Sequence, residues 1–90
     1  MKINELISIL EKKLNENLAI NELDIQDKSF LHKNHASFNN EKFHIKLLIN
    51  SENLNSISSL QANRKIFSIL KNEIHQYIHS LQIKLIKKAE

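Results

Sequence analysis

The chain contains neither glycine nor proline in its 90 residues, and this absence constrains both its turns and its chemistry. Turns must rely on Asn, Asp and Ser, whose side chains stabilise turn conformations through local hydrogen bonds. A chain without glycine has no glycine-rich phosphate loop and no GxxG loop of the kind that clamps a nucleic-acid backbone. Two common kinds of nucleotide and nucleic-acid site are therefore excluded.

The length fits one domain with a modest core, so we interpret residues 1–90 as a single domain with a frayed end at about 87–90. Cysteine is also absent, so the chain has no disulfide, no thiolate nucleophile and no thiolate metal ligand. We find no secretory signal and no apolar run near the ~20 residues needed to span a bilayer. We expect a cytoplasmic protein, or a mitochondrial matrix protein if the chain is a mature organellar form, without a membrane or small-molecule partner.

Hydrophobic periodicity predicts elements in the order αββααβ. Apolar residues at helical spacing predict helices at about residues 3–15 and 60–71, with a short further turn at 74–78. The polar residues of 27–40 and 51–59 predict connections, and Ser56 or Ser58 can cap the second helix. Strands are predicted from alternating polarity at about residues 22–26, 43–49 and 81–86.

The natural packing of these elements is an α+β fold, with three strands in one mixed sheet and the helices on one face. The side chains expected in the core are Leu10, Leu23, Ile45, Leu47, Phe67, Leu70 and Ile83.

No arrangement of residues typical of an enzyme is visible. The serines do not lie in a nucleophile-elbow motif, and the carboxylates are scattered without sign of a buried pair. We therefore expect a protein that is not an enzyme.

The histidines are the side chains most suited to act as metal ligands. His32 and His35 are three residues apart, and His75 and His79 are four apart. Two local pairs of this kind can hold a metal ion, although such spacing also arises by accident. From spacing alone, ordinary surface histidines remain the simpler interpretation.

Charge is distributed unevenly along the chain. The net charge of +3 results from a net −1 in residues 1–55 and a net +4 in residues 56–90. A basic second half can attract phosphates, although a solvated lysine face explains the same pattern.

Four segments, in order, resemble the BolA family. LDIQDKS at 23–29, followed by His32 and His35, is similar to the strand and "D-x-S…H-x-x-H" loop of that family. FHIKLLINS at 43–51 is similar to its "HFKVVIVS" strand, and LQANRKIF at 60–67 to its "LQRHRxVY" helix. EIHQYIHSL at 73–81 resembles its "EL…IHAL" ending.

The resemblance implies a class II KH-like αββααβ fold and two proposed activities. One is binding of a monothiol glutaredoxin with a shared, bridging [2Fe–2S] cluster, in iron–sulfur cluster trafficking or iron and redox sensing. In that role His79 matches the family's metal ligand, and His35 matches the second ligand in members that use histidine instead of cysteine. His44 and His32 are possible accessory residues near the metal, and His75 is expected at the surface.

The alternative activity is transcriptional regulation by nucleic-acid binding, which would be weak here. The basic residues available for it are Arg64, Lys65, Lys84, Lys87 and Lys88. A single arginine and the absence of an exposed aromatic platform favour the glutaredoxin hypothesis over this one.

Overall fold

The computed structural model describes residues 1–29 and 42–86, and the α+β fold predicted from the sequence is confirmed. The elements are α1 (Ile3–Asn17), β1 (Ile20–Asp27), β2 (Phe43–Ser51), α2 (Glu52–Asn55), α3 (Ser59–Ile69), α4 (Lys71–Tyr77) and β3 (Ile78–Leu85). The single-turn helix α2 lies inside the predicted polar connection of 51–59. The predicted frayed end lies outside the described residues, as does most of the predicted 27–40 loop.

The three strands form one mixed sheet in the order β1-β2-β3. β1 pairs antiparallel to β2, and β2 pairs parallel to β3. Parallel neighbours need a crossover connection, which α2, α3 and α4 provide. The N-terminal ends of β2 and β3 therefore lie side by side at the same end of the sheet.

The core lies between the central strand and the helices on one face of the sheet. α1 contributes Leu6, Leu10 and Leu14, which recur every four residues and so share one face of the helix. The buried side chains of β2 are Ile45, Leu47 and Ile49, and those of the segment 62–70 are Ala62, Ile66 and Leu70. Burial of Leu10, Ile45, Leu47 and Leu70 confirms their predicted place, while Leu23 and Ile83 are half-buried and pack against this core.

The predicted burial of Phe67 is wrong, because its side chain is 41% exposed. α3 turns a different face to the core, along the stripe formed by Ala62, Ile66 and Leu70. Ala62 is fully buried, whereas Leu60 at the start of the same helix is 60% exposed.

The ends of the helices follow from local hydrogen bonds. Ser58 caps α3 in a reciprocal capping box with Gln61. Of the two predicted caps, Ser56 and Ser58, the second is therefore confirmed. Leu70 ends α3 and precedes α4, so the predicted helix at 60–71 corresponds to α3, and most of the further turn predicted at 74–78 lies in α4. β3 starts at Ile78, three residues before the predicted start. In the described part of the chain, no residue has a positive φ angle.

Polar contacts of Lys13 and Asn50 connect elements across the fold. Lys13 of α1 donates to the buried carboxylate of Glu73 on α4, at a distance of 2.9 Å between Nζ and Oε1. The buried amide of Asn50 accepts a hydrogen bond of 2.9 Å from the Asn21 side chain and donates to the carbonyl of Ile86. The ends of all three strands are thereby joined through Asn50.

Candidate functional site

His44 and His79 form a pair at the N-terminal ends of β2 and β3. Their ring centroids are 4.8 Å apart, and the ring planes are inclined by 58°. His79 is exposed and His44 is half-buried, so one side of the pair is open to solvent. The fold brings together the residue predicted as a metal ligand and one predicted as an accessory.

An irregularity in the parallel ladder creates this pairing. Phe43 is opposite Ile78, but the next residue, His44, is opposite Ser80. His79 is therefore one extra residue on β3, as in a β-bulge, and the usual alternation of faces is interrupted there. His79 and Ser80 are consequently both exposed, and both lie beside His44.

His44 is held by hydrogen bonds on both its side chain and its backbone. Its Nδ1 lies 2.6 Å from Oγ of Ser80, and its backbone N–H donates to Oγ of Ser29 at 3.0 Å. Its carbonyl accepts from the backbone N–H of Lys28 at 2.7 Å. Ser29 is itself placed by an Asx turn, in which its N–H donates to Oδ1 of Asp27 at 2.9 Å.

Metal-binding histidines are commonly positioned by such secondary hydrogen bonds, which define the ring orientation. Sequence reasoning did not identify Ser29 and Ser80 as positioning residues. The Asp-Lys-Ser segment was recognised as part of a resemblance, yet its link to His44 depends on the β1–β2 register.

The remaining histidines have different positions. His75 is exposed on α4, as predicted, and its carbonyl accepts a hydrogen bond of 3.4 Å from Nζ of Lys42. α4 ends at Tyr77, so His75 and His79 do not share the helical face that their spacing allowed. His32 and His35 lie outside the described residues.

The donor set fits a [2Fe–2S] cluster in part. Two imidazoles can replace two thiolates on one iron of such a cluster, and His44 and His79 supply two adjacent imidazoles. Among residues 1–29 and 42–86, no group of three or more His, Cys, Asp or Glu side chains is placed to hold a metal ion. Further ligands would have to come from elsewhere, including a partner protein.

The basic residues predicted for nucleic-acid binding occupy two different surfaces. Arg64 and Lys65 are exposed on α3, which packs against the core. Lys84 is exposed on β3 between Ile83 and Leu85, which pack against that core, so Lys84 points from the opposite face of the sheet. Lys87 and Lys88 lie outside the described residues, and the described residues do not form one basic patch.

The fold is a small α+β domain with a mixed three-stranded sheet and a pair of adjacent histidines at one end of that sheet. The sequence profile of the family described as BolA-like protein matches residues 14–90. The chain therefore belongs to the BolA family, a family of regulators or accessory proteins, and the predicted resemblance is confirmed.

Named relatives support this assignment. The chain is 29% identical over 82 residues to the DNA-binding transcriptional regulator BolA of Haemophilus influenzae, covering 91% of this chain and 77% of the relative. Among solved structures, it resembles the BolA domain of SufE1 from Arabidopsis thaliana, with a TM-score of 0.74, 28% identity, and coverage of 87% of this chain and 86% of that one. BolA1 from Arabidopsis thaliana gives a TM-score of 0.72 at 26% identity, with the same coverage of both chains.

No helix among the described residues has the length and apolar character needed to cross a membrane.

Proposed function

We propose that this protein is a BolA-like accessory protein that binds a monothiol glutaredoxin and shares a bridging [2Fe–2S] cluster with it. The role would be iron–sulfur cluster trafficking or iron and redox sensing, in the cytoplasm or the mitochondrial matrix. The observation that carries the proposal is the pair of His44 and His79, with ring centroids 4.8 Å apart, on a surface that a partner can reach.

In this proposal His79 is a ligand, and His35 or His44 is the second. Neutral imidazole binds iron well, and histidine in place of thiolate raises the potential of a cluster. When bound, the cluster would supply an iron–sulfur unit for transfer or for redox sensing. The contact between Ser80 and Nδ1 of His44 would orient that ring. A chain without cysteine would depend on its partner for thiolate ligands.

The test is to mix the protein with a monothiol glutaredoxin under anaerobic, iron-replete conditions and to record absorption and circular dichroism spectra. We expect a heterodimer whose cluster spectrum differs from that of the glutaredoxin homodimer. His79→Ala should abolish this difference, and His75→Ala is the matched control because His75 is exposed on a different element. An unchanged spectrum with His79→Ala would refute the ligand assignment.

Nucleic-acid binding is the second candidate, favoured by the name of the Haemophilus influenzae relative, a DNA-binding transcriptional regulator. The exposed Arg64 and Lys65 lie on α3, which carries no acidic residue. We expect weak, sequence-indifferent binding that decreases steeply with added salt, because it would depend on a few phosphate contacts. Tight, sequence-selective binding at physiological salt would make this candidate the better one.

A further inference from the structure

A groove of about 560 Å³ lies at the junction of α3 and α4, away from the histidine pair of the proposed cluster role. It is lined by Phe67, Lys71, Asn72, Ile74, His75 and Gln76. Two of these side chains, Phe67 and Ile74, are large and apolar. A concave site with an apolar lining and a few polar groups at its edge has the form of a binding site.

Phe67 is a large apolar side chain that is partly exposed in the lining of this groove. Its side chain is 41% exposed, while Ile74 beside it is half-buried and packs against the core. A single exposed apolar side chain needs no explanation. Here, however, the exposed ring lines a concavity, so an apolar group of a partner can be buried against both Phe67 and Ile74.

The exposed charged side chains of α3 and α4 have one sign. In residues 59–77 the exposed charged side chains are Arg64, Lys65 and Lys71. The acidic residue of this segment, Glu73, is buried and paired with Lys13 at 2.9 Å. Arg64 is three positions before Phe67, so the two lie on the same side of α3, and Lys71 lines the groove itself.

We propose that this groove docks an acidic segment of a partner protein, with an apolar side chain inserted between Phe67 and Ile74. The carboxylates of the segment would lie beside Lys71 and Arg64. A peptide suits the site better than a nucleic acid, because the aliphatic Ile74 lies beside the Phe67 ring in a concave site, which favours insertion of an aliphatic side chain over stacking of a base. The proposal does not depend on the cluster role, since neither His44 nor His79 lines the groove.

The test uses the full chain, isotopically labelled, and a short synthetic peptide with one leucine among glutamates. We expect amide shift changes in NMR spectra to centre on residues 67–76, and the affinity to fall about tenfold with either Phe67→Ala or Lys71→Glu. Leu60→Ala is the matched control for the first variant, because Leu60 is exposed on the same helix outside the groove. Lys12→Glu on α1 is the matched control for the second, since Lys12 is also exposed.

The role of the inserted apolar side chain is tested with a second peptide in which alanine replaces the leucine. We expect this peptide to bind about tenfold more weakly. Equal binding of both peptides, or no binding of the leucine peptide, would overturn the proposal. It would also be overturned if a single-stranded oligonucleotide perturbed residues 67–76 while the leucine peptide did not. Thermal unfolding of each variant establishes that the fold is retained. Neither iron nor glutaredoxin is present, so the outcome is separate from that of the cluster experiment.

Discussion

Lys13 of α1 reaches Glu73 of α4 in an ion pair of 2.9 Å, with 35% and 11% of the respective side chains exposed. The carboxylate is thus nearly removed from solvent, and Lys13 is the partner that compensates its charge. The pair connects the first helix to the helix immediately before β3, and so to the strand that carries His79.

Lys13→Met should lower the free energy of unfolding by about 1–2 kcal/mol, because it leaves the Glu73 carboxylate without its partner in a poorly solvated position. Urea denaturation measures this effect. Lys12→Met is the control, since the Lys12 side chain is 79% exposed and lies 4.0 Å from Glu16, and its effect should stay within about 0.5 kcal/mol. Equal losses in the two variants would contradict the structural role of the pair.

Asn50→Ala should destabilise the protein by about 1–3 kcal/mol, because it removes a buried amide and leaves its partners without their hydrogen bonds. Those partners are the side chains of Asn21 and Asn55 and the carbonyl of Ile86. Asn15→Ala is a suitable comparison, because the amide of Asn15 is exposed and bonds only within its own helix. Thermal unfolding should separate the two variants by several degrees, and a similar melting temperature would refute the prediction.

The second cluster ligand can be identified by combining variants, and this prediction depends on the proposed function. His35→Ala alone should reduce the difference between the heterodimer and homodimer spectra only partly if His44 can replace His35 as a ligand. The His44 ring is 4.8 Å from that of His79. His35→Ala with His44→Ala should then remove the remaining difference. If the double variant matches His35→Ala, His44 is not a ligand and only lies beside one.

Acidification should destabilise the cluster-bridged heterodimer, because an imidazole that takes up a proton loses the lone pair needed for coordination. Absorption spectra recorded over a pH titration measure the loss. A glutaredoxin homodimer, with no histidine from this chain, is the control and should lose less of its cluster over the same range. Parallel losses in the two complexes would contradict histidine ligation.

Much of the fold could be predicted because binary patterning determines it. Leu10, Ile45 and Leu47 lie on clear periodic stripes, and all three are buried as expected. The side of α3 that packs against the core could not be predicted in the same way. An alanine carries little hydrophobic signal, yet Ala62 is fully buried, while the larger Phe67 is left partly exposed.

The site was predicted less completely than the fold. His79 was identified through resemblance to a family, and the resemblance says nothing about its neighbours in space. The extra residue in β3 interrupts the polar–apolar alternation, which hid both the start of the strand at Ile78 and the position of Ser80 next to His44. Contacts of this kind depend on strand register, which is determined only when the sheet forms.

The backbone of the described residues never enters the region of positive φ, so each of these turns can be made by ordinary L-amino acids without strain. A glycine would add nothing at these positions in the folded state, but it would add freedom to the unfolded chain. The chain lacks proline as well as glycine, and proline would restrict the unfolded chain. The two absences therefore act in opposite directions on the conformational entropy that is lost on folding.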